Sequence, residues 1–109
     1  MALSATDLRL VTLKVIASEQ VTVTTSGTAV NPSSNTDAVA VRVINNNAAK
    51  IAAVGMQDAQ VDGSTTPIKG FVLRQNDARL LYVTDNASEV EIDADTNGTV
   101  VSVEIFGRE

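Results

Sequence analysis

Hydrophobic and polar positions alternate with a period of two through much of the chain. In Ala38-Val39-Ala40-Val41-Arg42-Val43-Ile44, Val39, Val41 and Val43 share one face while Ala40 and Arg42 share the other. That is the pattern of a strand with one face buried. The same alternation sets Val21 and Val23 against Thr22 and Thr24, and sets Val101, Val103 and Ile105 against Ser102 and Glu104. Apolar runs at 51–54, 70–73, 80–83 and 90–92 are too brief for helices and also read as strands.

Between these segments lie clusters rich in Asn, Asp, Gly and Pro. They are Asn31-Pro32-Ser33-Ser34-Asn35, Asn45-Asn46-Asn47, Asp62-Gly63-Ser64-Thr65-Thr66-Pro67, Gln75-Asn76-Asp77 and Asn97-Gly98. Asn, Asp and Gly tolerate positive φ, and proline presets φ for the first corner of a turn. Short strands punctuated by such signals every 8–12 residues or so predict an all-β fold. We expect a single compact antiparallel β-sandwich, jelly-roll-like, over residues 20–109, preceded by an N-terminal arm or first strand over 1–19. Asn97-Gly98 is the favoured pair for a type I′ turn and predicts a hairpin joining 90–95 to 99–106.

Residues 1–19 are ambiguous by periodicity. Val11, Leu13 and Val15 alternate with Thr12 and Lys14, which favours an extended segment over a short helix after Thr6-Asp7. An apolar arm of this kind has two uses: it completes the sheet of its own chain, or it adds a strand to a neighbour. Leu8, Leu10, Val11, Leu13 and Val15 are accordingly the candidate interface residues.

Composition narrows the chemistry. The 109 residues hold no cysteine and no histidine, which removes thiolate and imidazole ligands and the commonest general base. The three aromatic residues are Phe71, Tyr82 and Phe106, so the core must be built from Val, Ile, Leu and Ala. A formal net charge of −5 opposes binding to a phosphate backbone, and a nucleic-acid partner is not expected. Neither a signal peptide nor a run of about 18 apolar residues is visible, so no membrane association is expected.

One stretch matches a ligand motif. Asp93-Ala94-Asp95-Thr96-Asn97-Gly98 followed by Glu104 satisfies the EF-hand pattern, with glycine at the sixth position and glutamate at the twelfth. If 99–106 is a strand, however, Glu104 lies roughly 20 Å from Gly98 and cannot share a cation with Asp93. The alternative is a looser cation site on a surface carboxylate cluster of Asp93, Asp95 and Asp85, which needs no helical loop. No nucleophile motif, phosphate-cradling loop or metalloprotease motif is present. We expect no enzyme, no catalytic residues, no cofactor and no structural metal. Arg42, Arg74 and Arg79 are candidates for pairing with a partner's carboxylates.

The order of segments from Gln20 onward resembles a family of small phage virion β-sandwich proteins. The resemblance is carried by Val21-Thr22-Val23-Thr24 followed by Gly27-Thr28-Ala29-Val30, by Val39-Ala40-Val41-Arg42-Val43, and by Ala53-Val54-Gly55. It continues through Val61, Gly63, Gly70-Phe71-Val72-Leu73 and Leu80-Leu81-Tyr82-Val83 to Val90-Glu91-Ile92-Asp93-Ala94-Asp95-Thr96-Asn97-Gly98. Two departures stand out: Arg74-Gln75-Asn76-Asp77 replaces a Pro-Gly-Glu turn, and residues 1–19 have no counterpart. The resemblance implies a structural virion protein, foremost a capsid decoration or cement protein bound to the outer surface of a bacteriophage head. Its expected partner is the major capsid protein, and it is expected to be a homo-oligomer, preferably a homotrimer, assembled in the host cytoplasm. The alternative implied is a tail, neck or fibre component acting as a receptor- or carbohydrate-binding module.

Overall fold

The computed structural model describes residues 13–57, 59–61 and 67–108, the side chains at 60, 61 and 67–69 excepted. The described residues form nine strands: β1 Leu13–Val23, β2 Ala40–Asn45, β3 Ala52–Gly55, β4 Gln60–Val61, β5 Pro67–Lys69, β6 Phe71–Leu73, β7 Asp77–Tyr82, β8 Glu91–Ala94 and β9 Thr99–Arg108. A four-stranded sheet has the order β1-β9-β2-β7, and a three-stranded sheet the order β6-β3-β8. A small β4-β5 ribbon pairs separately and lies against β3 and β8 of the smaller sheet. All strand pairs are antiparallel. The protein is therefore an all-β sandwich.

The inward faces meet in one core. Val21, Val23, Val41, Val43, Val101, Val103 and Ile105 come from the larger sheet; Ala52, Val54, Leu73, Ile92 and Ala94 come from the smaller. Period-two patterning thus selects the buried set in the larger sheet, whose inner face must leave water, whereas β3 and β8 are buried on both faces. The segment between β1 and β2 is tied to the smaller sheet by a bridge between Val30 and Ile92.

The expected boundary at residues 19/20 falls inside β1, which pairs with β9 continuously from Val23↔Thr99 to Leu13↔Arg108 apart from one bulge at Ile16. Residues 13–19 are thus part of the chain's own sheet. Opposite the bulge, a Cβ on Gly107 would fall 2.9 Å from Ile16 Cδ1 and 3.1 Å from the Asp37 carbonyl oxygen. Glycine is the residue that lets Ile16 lie across β9.

The expected hairpin at Asn97-Gly98 does not form. β8 belongs to the three-stranded sheet and β9 to the four-stranded one, so the connection arches across the sandwich. Gly98 has a φ of +79°, but Asn97 has no positive φ, which a type I′ turn requires at both positions. Long-range bonds hold the arch instead. The Ser26 amide donates to Asn97 Oδ1 at 2.8 Å, and the Gly98 amide donates to the Val23 carbonyl at 2.8 Å.

Asn45 ends β2 fully buried and fully used. Its Nδ2 donates to the carbonyls of Lys50 and Leu73, and its Oδ1 accepts from the amide and side chain of Asn47. The sequence cluster expected to be a turn is thus also a polar knot joining the two sheets.

Candidate functional site

The acidic residues proposed as weak metal ligands are used by the fold. Asp93 is buried in β8, where Oδ1 accepts from the amides of Gly27 and Ala94. Asp95 Oδ1 accepts from the Ile51 amide and the Thr96 hydroxyl, stapling the arch to the start of β3. Glu104, the twelfth position of the EF-hand pattern, pairs with Arg42 on the outer face of the larger sheet. Among the described residues no three Asp or Glu side chains gather as a metal site would require.

Asp85 lies elsewhere, in the loop after β7. Glu89 there closes a capping box with Asn86 over the single 3₁₀ turn Ala87–Glu89. Its carboxylate accepts from the amides of Thr84, Asp85 and Asn86. Those donors, Thr84 and Asp85 first, hold the Glu89 pKa down at about 2. The side-chain hydrogen bond to Glu89, and then its charge, push Asp85 the other way, so Asp85 is the member that keeps a proton longer.

The surface that stands out is the outer face of the four-stranded sheet. Strand register sets its side chains in rungs. One rung runs Val15, Phe106, Ala40, Tyr82 across all four strands. The next runs Ser18, Glu104, Arg42, Leu80, and the third Gln20, Ser102, Ile44, Ala78. Tyr82 is 62% exposed, Val15 48% and Leu80 40%. Two inter-strand spacings of about 4.8 Å separate their strands, so Tyr82 and Phe106 flank Ala40 about 10 Å apart.

Arg42 organises the centre of this face. Its Nε donates to Glu104 Oε1 at 2.7 Å, and its guanidinium carbon stands 5.5 Å from the centroid of the Phe106 ring. Beside it a shallow groove of about 380 Å³ is lined by Ser18, Gln20, Ile44, Asn46 and Ser102. The face therefore combines apolar area, one oriented ion pair and hydroxyl and amide groups. Such a mixture suits adhesion to another surface.

Of the interface residues expected from sequence, Val15 lies on this face opposite Phe106, and Leu13, half-buried, lies opposite Arg108. Leu8, Leu10 and Val11 lie outside the described residues. Arg79 faces the flank of the sandwich, with its guanidinium 3.6 Å from the centroid of Phe71. Phe106, Tyr82 and Leu80 were not among the expected interface residues. Their signal was alternation in β7 and β9, where each apolar outward residue follows an inward one. No known protein family matches the chain, and no curated protein matches it.

Proposed function

We propose that this protein is a structural component of a virion, a decoration protein that attaches through the outer face of its four-stranded sheet to a phage capsid. The observation that carries the reading is the rung in which exposed Val15 and Tyr82 flank half-buried Phe106, with exposed Leu80 beside it, around the Arg42–Glu104 pair. A sandwich with one such face has what cementing demands: shape, apolar contact and a few oriented charges, repeated over many weak copies. The resemblance of its segment order to small phage virion proteins supports the same reading.

The test is occupancy on heads of the phage whose genome carries this sequence, prepared without the protein and then supplied with it. Saturable binding by the wild type, lost in Tyr82→Lys with unchanged circular dichroism, is the expected result. No binding of the wild type to such heads overturns the capsid role.

A second reading, a receptor- or carbohydrate-binding module of a tail, neck or fibre, is supported by one feature. Tyr82 and Phe106 flank Ala40 on the same sheet face as the groove, two rungs from it, and Ser18, Gln20 and Ser102 line that groove with hydrogen-bonding groups. Binding to a glycan array that is abolished by Tyr82→Ala, together with absence from heads, would select it.

A further inference from the structure

The two outer strands of the larger sheet differ in how they meet solvent. β1 is interrupted by its bulge at Ile16 and turns the charged Glu19 toward the inner side, where it accepts from the Ser33 amide and hydroxyl. These are the devices that keep an edge from pairing with another chain. β7 has neither. It is an unbroken six-residue strand whose register with β2 runs from Asp77 to Tyr82 without a shift. Beyond it no further strand pairs among the described residues. It carries no lysine and no proline, and Leu80 and Tyr82 stand exposed along it.

The chain itself contains a segment with matching alternation. Preceding β1 the sequence reads Asp7-Leu8-Arg9-Leu10-Val11-Thr12, an alternation that as a strand would set Leu8 and Leu10 on one side and Arg9 on the other. We propose that residues 7–12 of one copy add as an antiparallel strand to the open edge of β7 in a second copy, with Leu10 beside Leu80 and Leu8 beside Tyr82. The two rungs of the outer face then continue across the boundary, with the aliphatic side chains beside Tyr82 and Leu80 and the face still open to a partner. Arg9 falls opposite Leu81 at the rim, where its long stem lets the guanidinium reach water.

Reach makes the donor a different copy. A strand outside β7 stands four strand spacings from β1, about 19 Å. Leu10 is three residues before the first residue of β1, which spans about 11 Å at full extension, and Leu8 falls short as well at about 18 Å. The chain therefore cannot place these residues on its own β7 in that register. Donor and acceptor lie on opposite edges of one sheet, so the contact is head-to-tail and forms a ring where the rotation closes. The inference rests on the sheet edge and the length of chain, and its failure would leave the virion reading standing.

The full chain carrying Leu10→Cys and Leu80→Cys, oxidised and resolved without reductant, is the direct experiment. Disulfide-linked multimers in the double variant, with Leu10–Leu80 linkage by mass spectrometry and none in either single variant, are expected. A disulfide within one chain overturns the exchange, as does its absence. Dimers from Leu80→Cys alone would show β7 meeting β7 and overturn it too. In light scattering without cross-links, Leu80→Lys is expected to weaken self-association by about tenfold or more while circular dichroism stays native. A wild type that remains monomeric at high micromolar concentration refutes the proposal.

Discussion

The edges of the four-stranded sheet solve opposite problems with the same backbone. β1 is irregular, bulged at Ile16, and fastened from the side by Glu19 and Ser33. β7 is regular and fastened only to β2, with Arg79 laid over Phe71 where the two sheets part. The irregular strand is thus the closed edge and the regular strand the open one. Perfection of strand geometry at a sheet margin marks where another chain can join, and a defect there marks where it cannot.

Breaking the closed edge should give the largest effect. Gly107→Ala pushes a methyl into Ile16 and the Asp37 carbonyl, and we expect a loss of about 1–3 kcal/mol in urea unfolding. Adding Ile16→Ala should recover part of it, since the two changes act on one contact. Additive losses would show that Ile16 is not what Gly107 accommodates. Glu19→Ala removes the acceptor for both the amide and the hydroxyl of Ser33, and about 1 kcal/mol should go with it. Equal stability of Glu19→Ala and wild type would leave the closed edge to the bulge alone.

The open edge should be the more forgiving. Arg79→Ala forfeits the stacking on Phe71, about 0.5–1 kcal/mol at an exposed site, and a double-mutant cycle with Phe71→Ala isolates that contribution. A coupling energy of zero would make Arg79 a bystander at this flank.

The smallest effect concerns the loop leaving β7. Because the Glu89 pKa is lowered from an ordinary 4.5 to about 2, its contribution to folding is complete above 4.5 and fades as pH falls toward 2. Asp85, with its pKa raised, works in the opposite sense and loses its contribution as pH rises through the raised value. Carbon-13 titration of the side-chain carboxyls should show Glu89 ionising well below Asp85. The reverse order would remove the capping box as the cause.

Much of this architecture was legible in the sequence because burial is decided residue by residue. Val21, Val23, Val41, Val43, Val101, Val103 and Ile105 all point inward as alternation required. What local pattern could not supply was partnership between distant segments. Asn97-Gly98 carries the same turn chemistry whether the chain doubles back within a sheet or crosses to the other. The choice was made by the pairing of Ile92 with Val54 and by bonds from Ser26 and Gly98 to remote groups. The candidate face was hidden for a related reason. Phe106, Ala40 and Tyr82 lie on three strands far apart in sequence, and only the register of β9 against β2 and β2 against β7 sets them in line. Val15 was accessible to sequence reasoning because it lies in a segment with visible alternation near one end.

The position of β9 also constrains the order in which this protein can be made. It lies between β1 and β2 in space yet follows every other strand in sequence. Leu13 must find Arg108, so that pairing closes nearly the whole chain into a loop. During synthesis β1 and the β2–β7 pair emerge with no strand to join them, each offering an unsatisfied margin until the ribosome has delivered β9. Folding therefore waits on β9 and is slow for the size of the domain, as topologies dominated by distant pairings are. Until β9 inserts, β1 and β2 each display an open edge that the finished sheet closes.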